Sequence, residues 1–199
     1  LWLHGAPLMP VQHVGLTGEH NLYNVMAASL AAKELGVPND VIADVAASFK
    51  GVEHRLEVVA EVDGVTYIND SIATSPDRTM AALQSFDRPI ILLAGGYDKR
   101  LDYSAMGELA ARKVRLLVLF GQTADKIEAA TRRHDTKGEC TIVRVRDLLE
   151  ACEVARRHSR NGDVVLLSPA SASYDQFANY QERGRAFKRW VMREVGKGT

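Results

Sequence analysis

The sequence lacks the features that mark several common protein classes. Its 25 Lys and Arg residues balance 25 Asp and Glu residues, so no net charge favours nucleic acid or an anionic membrane as a partner. No signal peptide and no apolar run approaching ~20 residues occurs, which predicts that no segment spans a membrane. The two cysteines, Cys140 and Cys152, have no metal-type partners in the sequence. We therefore expect free thiols in a reducing, cytoplasmic compartment.

Common nucleotide and metal motifs are also missing. The phosphate loop G-x-x-x-x-G-K-[ST], the dinucleotide fingerprint G-x-G-x-x-G and the zinc motif H-E-x-x-H do not occur. The chain begins at Leu1 rather than at a methionine. We therefore expect a piece of a longer protein, and the sequence predicts no metal site in it.

Strand and helix patterns alternate in the larger part of the chain. Residues 1–50 carry two helical patterns, and Gly51 marks a domain boundary. Beyond it, a hairpin signal at Asp63-Gly64 is followed by short apolar runs that alternate with helical patterns. The pattern predicts that residues 51–199 form a Rossmann-like α/β domain, in which helices cover both faces of a mostly parallel sheet.

Three loops follow the carboxyl ends of predicted strands, at residues 69–74, 95–99 and 168–173. Ligands bind in the crevice beyond such strand ends. The first and third loops lead into predicted helix starts, and helix starts bind anions. The helix after the third loop is predicted to begin at Ser173, which has capping-box spacing to Gln176. Each loop alone is equally consistent with ordinary turn chemistry. Together they favour a site for a small dicarboxylate or a phosphorylated group.

The second loop and two other stretches add candidate ligand contacts. Gly95-Gly96 gives the second loop backbone flexibility, and Lys99 gives it a cation. Asn21 and Asn24 are spaced to share one helix face. Two side-chain amides placed in this way can read the edge of a base. The alternative is an N-cap asparagine and a neighbouring asparagine that is merely exposed. Arg55 is suited to bidentate phosphate binding, or to pairing with a nearby Glu.

Five motifs in order resemble those of the Mur ligases of peptidoglycan synthesis. They extend from about Gly18 to Phe187, and the last most resembles the D-glutamate-adding branch of that family. The motifs are G-E-H-N-L-Y-N, E-H-R-L-E, Y-I-N-D-S-I-A-T, L-L-A-G-G-Y-D-K and L-S-P-A-S-A-S-Y-D-Q-F-A-N-Y-Q-E-R-G-R-A-F.

The resemblance implies a domain assignment. Residues 1–50 correspond to the helical end of a truncated central ATP-binding domain, and residues 51–199 to a Rossmann-like C-terminal domain that binds the incoming amino acid. The phosphate loop, the Mg²⁺ ligands and a carbamylated lysine of the family belong to parts that this sequence does not contain. We therefore expect the chain to be inactive alone.

The resemblance also implies a reaction and its reactants. ATP, with Mg²⁺, phosphorylates the terminal carboxylate of UDP-N-acetylmuramoyl-L-alanine, and the amine of D-glutamate attacks the acyl phosphate. Such catalysis consists mostly of positioning and charge neutralisation. No nucleic acid takes part, and we expect a monomer.

Family roles carry over onto matching positions of this sequence. The resemblance implies that Asn21 and Asn24 contact adenine, that Arg55, beside His54, contacts phosphate, and that Asp70 contacts the ATP ribose. Lys99 and Ser173, with its helix start, would each bind a carboxylate of D-glutamate. The residues expected around D-glutamate are Thr74, Lys99, Ser173, Tyr174 and Tyr180, and those expected to be catalytic are Lys99, Arg55 and His54.

Two positions depart from the family pattern. Ile72 stands where many D-glutamate ligases have a lysine, so either Lys99 or another cation substitutes, or acceptor recognition is altered. Tyr180 replaces a usual Phe. Three alternatives stay open: another Mur or folylpolyglutamate-type ligase, a nucleotide-binding Rossmann domain of the nicotinamide type, or a non-catalytic partner domain.

Overall fold

A computed structural model describes residues 1–16 and 18–195 of the chain. The backbone divides into two compact units, Leu1–Val52 and a larger one that begins at Glu53. Thr17, the side chains of Glu19 and His20 in the first family motif, and residues 196–199 of the predicted second domain lie outside the described residues.

The first unit is small and mainly helical. A two-stranded antiparallel sheet and a 3₁₀ turn precede two helices, and its core is built around Met9, Val25 and Ala46. The elements are β1 (Trp2–Leu3), β2 (Ala6–Pro7), the 3₁₀ turn (Val11–His13), α1 (Glu19–Glu34) and α2 (Asn39–Ser48). The apolar side chains of α2 are only partly covered, since Ile42 is buried while Val45 is exposed.

The second unit is organised around a six-stranded sheet. Its strands are β3 (Glu57–Val62), β4 (Val65–Asn69), β5 (Ile90–Gly95), β6 (Val114–Phe120), β7 (Thr141–Arg144) and β8 (Val164–Leu167). Their order is β3-β4-β8-β5-β6-β7, and only β3 runs antiparallel to its neighbour. The predicted mostly parallel sheet is confirmed. β8 lies between β4 and β5, with Leu166 level with Ile68 and Leu92.

Helices cover both faces of this sheet, as predicted. The helices are α3 (Pro76–Gln84), α4 (Ser104–Lys113), α5 (Ala124–Arg132), α6 (Leu148–His158) and α7 (Tyr180–Val195). Successive strand residues point to opposite faces, so Leu92 joins the core under α3, α4 and α5 whereas Leu93 joins the core under α6 and α7. Both leucines are fully buried, and each such side chain stabilises the fold by about 1.5–3 kcal/mol.

The last helix begins later than its sequence pattern predicted. The Ser173 carbonyl accepts hydrogen bonds from the amides of Gln176 (3.1 Å) and Phe177 (2.8 Å), which close a turn rather than a helix. α7 starts at Tyr180, where the Asn179 side chain accepts from the Glu182 amide at 2.8 Å. Both segments have capping-box spacing, and the real start is capped by an asparagine with a glutamate in the first turn. The prediction that Ser173 opens a helix was therefore wrong.

The start of α3 follows its prediction more closely. Ser75 takes the N-cap position and Pro76 the first helical position, although the Ser75 side chain makes no capping hydrogen bond. Within the described part of the chain, no helix combines the length and the apolar character needed to cross a membrane.

Candidate functional site

The predicted loops meet at the carboxyl edge of the sheet, and a fourth loop joins them. The amide of Tyr97, beyond β5, donates to Ala172 O at 2.8 Å, which links the second loop to the third. The amide of Thr123, beyond β6, donates to Gly96 O at 3.1 Å. The loop after β6, residues 121–123, did not figure in the sequence prediction because it carries neither a charge nor a recognisable motif.

Arg183 of α7 holds the first loop to the third. Its side chain is 0% exposed and donates to Ser71 Oγ (3.0 Å), Ser71 O (2.9 Å), Ser171 O (3.0 Å) and Ala172 O (3.2 Å). Burial lowers the pKa of the guanidinium to about 10, against the opposing charge of Asp175, so Arg183 stays charged at neutral pH. Among the described residues no carboxylate lies within ion-pair distance of it.

The sequence carried one signal for this arginine. Arg183 lies three residues after Tyr180 and four before Phe187, on the same stripe of the helix. A guanidinium on an otherwise apolar stripe indicates a buried side chain that has hydrogen-bond partners, since a charged side chain is almost never fully buried without partners. We did not single it out from the sequence.

A cluster of hydroxyl groups locks the remaining loops. Ser171 Oγ lies 2.9 Å from the Tyr103 hydroxyl at the start of α4 and 2.8 Å from Thr123 Oγ1 at the start of α5. All three side chains are buried, and burial raises the pKa of Tyr103. A satisfied buried network of this kind fixes one arrangement of the backbone, so the floor of the site is rigid.

The two glycines of the second loop serve close packing rather than the flexibility we expected. Gly95 and Gly96 have φ values of 126° and 145°. A Cβ would lie 1.8 Å from Phe120 O at Gly95 and 2.2 Å from Ala172 O at Gly96. Only glycine accommodates both the backbone conformation and the contact, so the pair lets β6 and the third loop approach β5.

Exposed side chains form the rim of the site. Lys99 is exposed, and it has no ion pair or hydrogen bond with any residue that the structure describes. The neighbouring Asp98 is engaged by Lys126 at 2.6 Å. Tyr97 and Tyr174 are also exposed and meet edge to face, with ring centres 6.1 Å apart. The rim therefore carries an ammonium group without a partner among the described residues, two positions along the chain from a tyrosine of an aromatic pair.

The other residues expected around the amino acid are less accessible. Thr74 and Tyr180 are half-buried, whereas Ser173 is 2% exposed. Because Ser173 begins no helix, it provides no set of free first-turn amides for a carboxylate.

Asp70 belongs to the first loop and is only 4% exposed. Its Oδ2 accepts from Ser168 Oγ at 2.7 Å and its Oδ1 from the Leu56 amide at 3.2 Å. Burial raises the pKa of the carboxyl to about 6, although these hydrogen bonds and the charges of Arg55 and Arg78 oppose the rise. Arg55 itself is exposed.

His54 is buried behind the site rather than on its rim. The ring is 2% exposed, and its Nδ1 lies 2.8 Å from Asn69 Nδ2. An amide nitrogen only donates, so Nδ1 accepts and the proton is assigned to Nε2. Burial lowers the pKa of this histidine. It meets Tyr180 edge to face at 6.0 Å, and these contacts tie the β3 side of the sheet to α7.

One group of side chains has the composition of a metal site. Ligand atoms of Glu53, His54 and Glu57 lie within 4.8 Å of one another. However, Lys188 Nζ donates to Glu53 at 2.9 Å and to Glu57 at 2.5 Å, and Asn69 donates to Glu57 at 3.0 Å. The ammonium already supplies the positive charge, and Mg²⁺ prefers an all-oxygen shell. This group does not fit Mg²⁺.

The two predicted adenine contacts belong to the first unit. Asn24 Nδ2 donates to Asn21 Oδ1 at 3.4 Å, so the side chains share one face of α1, as their spacing predicts. Asn24 is exposed and Asn21 half-buried. The pair presents amide donors and acceptors on one helix face.

Comparison with known proteins gives a consistent result. Residues 54–171 match the family model described as Mur ligase, glutamate ligase domain. A UDP-N-acetylmuramoylalanine–D-glutamate ligase of Acetivibrio thermocellus is 50% identical over 180 residues, which cover 88% of this chain and 38% of that protein. A protein of the same name from Caldanaerobacter subterraneus is 44% identical over 192 residues, covering 96% of this chain and 42% of the relative. The chain thus spans about two fifths of the length of these relatives.

A solved structure shares the fold at low sequence identity. The UDP-N-acetylmuramate-alanine ligase of Thermotoga maritima superposes with a TM-score of 0.65 at 18% identity. The match covers 92% of this chain and 39% of that one.

Proposed function

Because this chain belongs to the Mur ligase family, we propose that it is the carboxyl-terminal part of an ATP-dependent ligase that adds D-glutamate to UDP-N-acetylmuramoyl-L-alanine. In this proposal residues 1–50 end the central ATP-binding domain, and residues 51–199 form the domain that binds D-glutamate. The 50% identity to a D-glutamate ligase supports the choice of amino acid.

The observation that carries the proposal is the uncommitted ammonium of Lys99 on a rim whose loops are locked together. Arg183 and the Ser171 cluster hold the loops in one arrangement, so Lys99 is attached to a fixed backbone. A preorganised cation binds an anionic substrate at a low entropic cost. Lys99 would bind one carboxylate of D-glutamate, next to Tyr174.

The other assignments follow from position. Thr74 and Tyr180 would line the amino-acid pocket, and Ser173 would contribute its hydroxyl or its backbone rather than a helix start. The exposed Arg55 would neutralise phosphate charge. His54 is buried, so its contribution to catalysis would be made through the position of its neighbour Arg55.

The nucleotide would be held in part by residues of this chain. Asn21 and Asn24 would bind adenine, and Asp70 the ribose. ATP, as its Mg²⁺ complex, would supply the phosphoryl group that activates the carboxylate of the acceptor. The described residues offer no fitting Mg²⁺ ligand set, so the metal would be held outside them.

The proposal is tested by a ligation assay on the full-length ligase that carries this chain. UDP-N-acetylmuramoyl-L-alanine, ATP and Mg²⁺ are supplied with D-glutamate, L-glutamate, D-alanine or L-lysine, and the product mass and ADP release are measured. Of the four amino acids, we expect only D-glutamate to give product together with a stoichiometric amount of ADP. Equal or better turnover with another amino acid would contradict the assignment of the substrate.

A second test uses the chain as it is. D-glutamate is titrated into the labelled protein and amide chemical shifts are followed, with L-glutamate as the control. We expect shifts concentrated at Thr74, Lys99 and Ser173 with D-glutamate. Equal shifts with both enantiomers would contradict a stereospecific site in this domain.

A further inference from the structure

Ile72 leaves the first loop without the positive charge that the resemblance leads us to expect there, and the structure places another cation beside it. Arg78 Nη1 donates to the carbonyl oxygen of Ile72 at 3.4 Å. The guanidinium is otherwise exposed and forms no ion pair with any carboxylate of the described residues. It is near enough to Asp70 for its charge to oppose the rise of that carboxyl's pKa.

The position of Arg78 in its helix is unfavourable in the absence of an anion. Arg78 is the third residue of α3, and the Ser75 side chain does not cap this helix. The first turn of a helix is the positive end of its dipole, where a cation is disfavoured. Asp77 offsets part of this cost from the same turn. An anionic oxygen bound between the guanidinium and the loop would offset the rest.

We propose that Arg78 is a substrate-binding residue that supplies, next to Ile72, the positive charge that a lysine at position 72 would otherwise supply. Its ligand is an anionic oxygen, either of the D-glutamate carboxylate or of the transferred phosphate. A guanidinium binds both through two parallel hydrogen bonds. This inference rests on the proposed function and extends it to the corner formed by the first loop and α3.

The test compares four forms of the full-length ligase: wild type, Arg78→Ala, Arg78→Lys, and Arg78→Ala combined with Ile72→Lys. Arg157→Ala is the matched control, because Arg157 is also exposed but lies on α6, against the opposite face of the sheet. We expect Arg78→Ala to lower kcat/KM at least tenfold, since charge-assisted hydrogen bonds are lost. Arg78→Lys should keep part of the activity. Ile72→Lys should restore at least a third of the lost activity to Arg78→Ala.

The kinetic constants distinguish the two sources of the anionic oxygen. A raised KM for D-glutamate with little change in kcat identifies the carboxylate. A lowered kcat with an unchanged KM for D-glutamate identifies the phosphate. If Arg78→Ala stays within twofold of wild type, or if Ile72→Lys restores nothing, the inference is wrong.

Failure of the inference is separable from failure of the proposed function. An inactive wild-type ligase with D-glutamate contradicts the proposed function, whereas an active wild type with an unaffected Arg78→Ala contradicts only the role of Arg78. A titration of the chain itself with inorganic phosphate and with D-glutamate provides a readout besides turnover. We expect at least one of the two ligands to shift the amide signals near Ile72. The affinity obtained from this titration should be at least tenfold weaker in Arg78→Ala. Equal binding by the two proteins, or no shift with either ligand, would overturn the inference.

Discussion

Arg183 binds Ser71 twice, from Nε to Oγ at 3.0 Å and from Nη2 to the backbone oxygen at 2.9 Å. The two residues are 112 positions apart in the chain. Through its other nitrogen the same guanidinium holds Ser171 and Ala172. One side chain therefore fixes the spacing between the loops that follow β4 and β8, and the geometry of the site depends on it.

Removing this side chain should destabilise the fold strongly. Arg183→Ala leaves two buried carbonyl oxygens, those of Ser71 and Ser171, without a donor, whereas Ala172 O keeps the Tyr97 amide. Each unsatisfied buried group costs about 1–3 kcal/mol. We expect the free energy of unfolding, measured by urea denaturation, to fall by at least about 3 kcal/mol. Arg185→Ala is the control, because Arg185 is exposed on the same helix. A loss below about 1 kcal/mol for Arg183→Ala would show that the contacts add little.

Gly184→Ala should destabilise the protein although it removes a glycine from a helix. In an open helix this change stabilises by up to about 1 kcal/mol, but here the new Cβ would lie 2.2 Å from His54 Nδ1. The ring cannot move away without losing its contact to Asn69. We expect a loss of about 1–3 kcal/mol, measured by thermal or chemical unfolding.

A double-mutant cycle isolates the cause of that loss. In a His54→Ala background the ring is absent, and Gly184→Ala should then cost little or become favourable. The same cost in both backgrounds would mean that the clash is with another part of the structure.

Asp70→Asn should separate stability from activity. Burial raises the pKa of Asp70 from 3.8 to about 6, so the folded state keeps a proton that the unfolded state loses between these values. The free energy of unfolding of the wild type therefore falls by up to about 3 kcal/mol as the pH rises from about 4 to 6, and it stays lowered above pH 6. Asparagine avoids this loss, because Nδ2 can donate to Ser168 Oγ.

Unfolding curves at several pH values check this prediction. The advantage of Asp70→Asn over wild type should be largest above about pH 6 and should vanish near pH 4, while ligase activity falls. A variant that is less stable than wild type at pH 7 would show that the ionised carboxylate stabilises the fold.

Lys99→Ala should affect one substrate more than the others. The ammonium has no partner among the described residues, so its loss leaves stability unchanged within about 0.5 kcal/mol. In the full-length ligase we expect the KM for D-glutamate to rise at least tenfold, because a charge-assisted hydrogen bond is lost, and the KM for ATP to rise far less. The control is Lys137→Ala, which removes an exposed lysine from the turn after α5. Equal effects on both substrates would remove Lys99 from the amino-acid site.

The sequence predicted the layers of the fold because they follow from local periodicity. Continuous apolar runs such as Val164–Leu167 belong to strands that are covered on both faces. The start of α7 was missed because two segments compete with the same capping spacing, and spacing alone does not decide between Ser173 and Asn179.

The site could be predicted only in part. Its location at the strand ends follows from the topology of parallel sheets, and the loop sequences supplied Lys99. The burial of Asp70 and the clamp made by Arg183 depend on contacts between distant segments, such as Asp70 with Ser168. No local pattern encodes such contacts.

The position of β8 in the sheet has a consequence for synthesis of the chain. β8 pairs with both β4 and β5, so these two strands leave a strand-wide gap between them until the ribosome, having completed β5 at Gly95, has gone on to make Val164–Leu167. Until then each nascent chain has two unpaired strand edges, which are templates for aggregation. The domain therefore completes its sheet only after β8 has been made, and a ribosome that stalls before Val164 yields a product that lacks the strand joining β4 to β5.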